Sequence, residues 1–81
     1  MARLRILSAK GDALVTWDTE KAQTGDPEAS SAVEEAERIF ERERARGSTA
    51  FKVEAGKPAE RIDRFDPTAE ETVIVPMVAG G

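Results

Sequence analysis

The chain has 81 residues, with 12 Lys and Arg against 16 Asp and Glu, a formal net charge of −4, and neither His nor Cys. So short a chain buries only about 60% of its unfolded surface, which leaves little room for an enclosed catalytic cavity, and the missing imidazole and thiol groups remove triads, disulfides and soft metal sites. The acidic balance opposes nucleic-acid binding, and no apolar run reaches the roughly 20 residues of a membrane span or the pattern of a signal peptide, so the expectation is a soluble cytoplasmic domain that is not an enzyme and binds no cofactor.

In "RLRILSAKGDALVTWDT", Leu4 and Ile6 alternate with Arg3 and Arg5. Lys10-Gly11-Asp12 interrupts, and Ala13, Val15 and Trp17 then alternate with Leu14 and Thr16. Two period-2 segments around a Gly-containing turn predict a hairpin. Trp17, sharing a strand face with Val15, reads as a core or half-buried edge residue rather than a ligand platform.

The polar stretch "EKAQTGDPEASS" reads as a loop leading to a helix. Two starts are open: Asp26 capping with Pro27 at the first helical position, or Ser31 capping with Glu34 three residues on. The helix covers about residues 27–46, and Gly47 stops it. Ala29, Val33, Ala36 and Phe40, joined by Ala32 and Ile39, form one apolar stripe, so one side is to be buried on a sheet. Glu34, Glu35, Glu37, Glu41 and Glu43 could suggest a metal site. Glu34–Arg38, Glu35–Arg38 and Glu41–Arg44 fall at ion-pair spacings, which favours a solvated face.

Beyond the helix, "STAFKVEAG" places Phe51 and Val53 on one strand face, and Glu54 to Pro58 reads as a turn. "KPAERIDRF" offers Ile62 and Phe65 as its apolar members, and "DPTAEE" is a turn or short helical loop. "TVIVP", Thr72 to Pro76, is the most continuously apolar run, best explained by a central strand buried on both faces. Pro76, with no N–H to donate, ends its pairing. The predicted fold is α+β: a mixed sheet of four to five strands with one main helix on one face, spanning 1–76 and followed by a flexible tail, 77–81.

The order of strands and helix, two, one, then three, resembles the β-grasp arrangement of ubiquitin-like proteins. "RFDPTAEETVIVPMVAGG", Arg64 to Gly81, resembles the C-terminal part of the ubiquitin-like sulfur carriers, especially the small subunit of molybdopterin synthase. Phe65, Asp66, Pro76, Val78, Gly80 and Gly81 match that family's Phe-Asp loop and Pro-Pro-Val-x-Gly-Gly tail, and Met77 departs where the second proline would stand. The resemblance implies that an adenylating enzyme of the ubiquitin-activating type joins the Gly81 carboxylate to AMP from MgATP. The product is then a thiocarboxylate or a conjugate, with a synthase large subunit or a conjugation target as further partner. Pro76, Met77, Val78 and Ala79 would be the recognised tail, and Gly80 and Gly81 the activated end.

The chemistry suits the residue types. An α-carboxyl with pKa of about 3.3–3.7 is anionic at neutral pH. Glycines pass where a Cβ would collide, and six residues from Pro76 reach about 20 Å when extended. Lys10, Lys21, Lys52 and Lys57 are internal amines that a modifier could join to itself, though ordinary surface lysine is the simpler reading. Asp63, Asp66, Glu70 and Glu71 form a second acidic group, open to a basic surface of the activating enzyme. The alternative function is a non-catalytic β-grasp interaction module with an inert tail.

Overall fold

The computed structural model describes residues 1–7 and 13–76. The turn expected at Lys10-Gly11-Asp12 therefore lies outside the described residues. β1 (Ala2–Ile6) and β2 (Ala13–Trp17) pair antiparallel, from Ala2 opposite Trp17 to Ile6 opposite Ala13. The alternation read from the sequence holds: Ala2 and Leu4 are buried, while Arg3 points to the other face.

Part of the segment read as a loop is helical: α1 (Thr19–Gln23) forms one short turn-and-a-half of helix. Asp18 caps it, its carboxylate accepting the N–H groups of Glu20 at 2.9 Å and Lys21 at 3.1 Å. The helix has no fully buried residue, so its sequence carried no apolar period to reveal it.

α2 (Pro27–Ala45) starts at the first of the two expected places, with Asp26 accepting the N–H of Ala29 at 3.0 Å and Pro27 in the first turn, where a missing N–H costs nothing. At its far end Gly47 adopts φ 92°, and the N–H groups of Gly47 and Ser48 donate to the carbonyls of Arg44 and Glu43, both at 3.0 Å. That reciprocal closure satisfies orphan carbonyls that would otherwise need water.

β3 (Thr49–Val53), β4 (Glu60–Ile62) and β5 (Glu71–Val75) complete a five-stranded sheet in the order β2-β1-β5-β3-β4. β5 runs parallel to β1 and antiparallel to β3, which makes the sheet mixed. The architecture is thus α+β, with one main helix packed against a five-stranded mixed sheet.

The core between α2 and the sheet joins Ala2, Leu4, Trp17, Ala36, Phe40, Ala50 and Ile74. Alanine on the helix and on two strands contributes small side chains to this core, and Phe40 and Trp17 supply its large rings. Phe65 lies 5.7 Å from Phe40 and 5.9 Å from Trp17, centroid to centroid, in tilted arrangements. The Trp17 indole donates its Nε1–H to the Pro67 carbonyl at 3.1 Å, so Trp17 is a satisfied core residue.

Two expectations need correction. β5 is central but not buried on both faces: Thr72 and Ile74 are buried under α2, whereas Val73 is half-buried and Val75 is 38% exposed on the uncovered side. Apolar character there follows from position in the middle of the sheet, with one layer of helix and no described element on the other face. Glu43 is no part of a solvated face either. It is 7% exposed and its carboxylate accepts the Ser48 hydroxyl at 3.0 Å. Among the described residues the ion pairs of α2 are Arg42 and Arg46 with Glu43, and Arg44 with Asp63, rather than the three intrahelical pairs expected from spacing.

Candidate functional site

The residues expected to act are strung along the end of the chain. Pro76 is half-buried and follows directly on β5, whose last pair is Val75 opposite Thr49. Met77, Val78, Ala79, Gly80 and Gly81 lie outside the described residues. The strand leading to them is hydrogen-bonded on both sides, and the Leu7 N–H adds a bond to the Ile74 carbonyl at 3.0 Å. A pull on the chain beyond Pro76 therefore acts on an inner strand paired along both edges.

The loop entering β5 is built by its own polar groups. Asp66 accepts the Thr68 hydroxyl at 2.6 Å and the Thr68 N–H at 2.9 Å, and the Ala69 N–H donates to the Asp66 carbonyl at 3.2 Å. The Thr68 hydroxyl holds the Asp66 carboxyl below its ordinary 3.8; partial burial works against this, and the Thr68 N–H and the Lys52 ammonium add to the lowering. Ala69, buried at the end of this loop, fixes where β5 begins.

The second acidic group is mostly engaged within the chain. Asp63 takes Arg44 at 3.0 Å, Asp66 serves its own loop, and Glu71 takes Arg3 at 2.8 Å and Arg5 at 3.7 Å. Of the internal amines, Lys52 is hemmed by Asp66, Glu54 and Glu60 at 3.7, 3.9 and 4.0 Å, whereas Lys21 and Lys57 are exposed and Lys10 lies outside the described residues. No group of three or more carboxylates among the described residues could hold a metal ion.

A second surface was not singled out from the sequence: the sheet face opposite α2. Register places Leu14, Arg5, Val73, Phe51 and Arg61 in one row across all five strands. A neighbouring row holds Thr16, Arg3, Glu71 and Val53. Leu14 is 54% exposed, and no described element covers the row. The signal was present in "RLRI", where the arginines alternate with the core residues, but one strand cannot say what its neighbours bring beside them.

No protein-family model, curated protein or solved structure matches this chain.

Proposed function

We propose that the chain is a ubiquitin-like carrier or modifier of β-grasp fold, not itself an enzyme, whose Gly81 carboxylate is adenylated by an ATP-dependent activating enzyme. The observation that carries the reading is the position of β5: the last described strand is the central one, parallel to β1, and Pro76 follows its end at Val75, immediately before Met77 to Gly81. That sheet order with a single main helix across one face supports the β-grasp reading, and the diglycine supports the chemistry.

In the proposed step a carboxylate oxygen of Gly81 attacks the α-phosphorus of MgATP. A bond forms between that oxygen and phosphorus, the bond to the bridging α–β oxygen breaks, and pyrophosphate leaves with its electron pair. The acyl-adenylate then loses AMP to a sulfur nucleophile, giving a thiocarboxylate, or to a thiol and then an amine, giving a conjugate. This chain's part is recognition and reach: Pro76, Met77, Val78 and Ala79 lead the end into the enzyme's passage, and Gly80 and Gly81 carry no Cβ to obstruct it. MgATP belongs to the partner enzyme.

The test is ATP–pyrophosphate exchange with the cognate activating enzyme. The full chain supports exchange, and deletion of Gly81 abolishes it; exchange that survives the deletion removes the proposal. Mass spectrometry of protein from its native host separates the two fates, by replacement of one oxygen with sulfur or by the tryptic remnant Phe65 to Gly81 joined to a target lysine.

A second reading is favoured by the uncovered sheet face: a β-grasp interaction module whose tail is inert. One residue added after Gly81 then leaves function intact.

A further inference from the structure

We propose that the outer edge of β2 pairs with β2 of a second copy of this chain, antiparallel and related by a two-fold axis, so that two sheets join into one. This goes beyond the reading of Gly81 and does not depend on it.

The two edges of the sheet differ. β4, at one edge, is three residues long and carries Glu60 and Arg61, the brevity and charge that keep an edge from pairing. β2, "ALVTW", at the other, holds five residues with no charge and no proline, in a chain that is 35% charged. Its register against β1 runs unbroken from Ala13 to Trp17, so no bulge turns it away either. No described strand lies beyond it.

The ladder shows which backbone groups are unmet. The N–H groups of Arg3 and Leu7 point to β5, donating to the Glu70 and Ile74 carbonyls, both at 3.0 Å. Backbone groups alternate in direction along a strand, so Leu4 faces β2, Val15 opposite it faces back, and Leu14 and Thr16 direct their N–H and C=O groups out from the edge. Those two residues are symmetric about Val15. A two-fold axis beside Val15 therefore sets Leu14 against Thr16 of the second copy, and Thr16 against its Leu14, each pair exchanging both of its N–H···O bonds. The two Val15 residues then meet as the close, non-hydrogen-bonded pair, with Cα atoms about 4.5 Å apart.

Charge permits the same arrangement. On the uncovered face the first described charges across the junction are Arg5 of one copy and Arg3 of the other, which flank Leu14 and Thr16 in the register. They stand three strand spacings, or about 14 Å, apart, beyond the roughly 8 Å over which exposed charges act in physiological salt. The strand thus complements itself in donors, acceptors and charge, which selects a second copy as the occupant. With β4 blunt at both outer edges, the assembly closes at two.

A single strand pair is a small interface, so association is read over a wide range of concentration, up to about 1 mM. Sedimentation equilibrium of the full chain is expected to show the mean mass rising from that of the monomer toward twice that value. Over the same range, amide exchange of the isotope-labelled chain is expected to slow at least about threefold at Leu14 and Thr16, and less at Ala13, Val15 and Trp17, which already bond to β1. Because each copy carries −4, added salt is expected to strengthen the dimer. Thr16→Pro removes an outward donor at a position an edge strand tolerates, and is expected to abolish association with circular dichroism unchanged. Leu14→Lys, which keeps every backbone group and adds an edge charge, is expected to weaken it at least about fivefold. A monomer mass throughout, Leu14 and Thr16 amides slowed at every dilution in a monomer, or slowing only when an end-blocked valine-threonine peptide is added as a rival strand each overturns the proposal. So does a dimer whose slowed amides lie elsewhere, or a Leu14→Lys chain that associates as the wild type does.

Discussion

Phe40 is fully buried, between the alanines of the sheet and the ring of Phe65, and few other side chains of its size help to fill this core. Its truncation leaves a void that small neighbours cannot close. Phe40→Ala should cost about 3–5 kcal/mol, read as a lowered urea midpoint, a large share of a typical domain's stability. Asp66 gives a second expectation at a single side chain. Its folded pKa lies below its ordinary value of 3.8, so it contributes stability above that value and loses it as pH falls through the folded pKa. The wild-type chain should therefore exceed Asp66→Asn in urea midpoint at neutral pH, with the gap closing below about pH 4. A gap that widens toward acid would contradict the role given to the Thr68 hydroxyl.

α2 owes both its ends to short-range chemistry. Asp26 and Pro27 set the start, and Gly47 at φ 92° sets the stop. An alanine at position 47 would place a Cβ in the left-handed region, so Gly47→Ala should cost roughly 1–2 kcal/mol in a denaturant melt. Helix caps and the hairpin strands were legible because they depend on neighbours within a few residues. Glu43 was not, because its burial follows from the chain turning at Gly47 to bring the Ser48 hydroxyl back against it. α1 was missed for a related reason: a short capped segment without an apolar period looks like any polar loop until Asp18 is seen holding its first turn.

The described residues form one sheet with one main helix, joined through a single core cluster. Trp17 is packed in that cluster and its indole is tied to the loop before β5, so its fluorescence reports on the last strand as well as the first hairpin. Fluorescence and far-ultraviolet circular dichroism should give coincident urea transitions with a slope of about 1 kcal/mol/M. Separate transitions would mean that the hairpin and the β3–β4–β5 unit unfold independently. The central strand is pinned on both edges, α2 covers one face of the sheet, and no described element covers the other.

Local rules in the chain were enough to specify the strand alternation of β1 and β2, the apolar stripe of α2 and its stop at Gly47, since each rests on residues near in sequence; between the two starts open for α2, Asp26 with Pro27 and Ser31 with Glu34, the structure decided. Folding in three dimensions added the rest. Only strand register sets Arg5 and Arg61 on either side of Val73 and Phe51, and only the tertiary placement of α2 shows that no described element covers that row. Lateral neighbours in a sheet come from distant parts of the chain, so the character of a face cannot be read until the strands are paired.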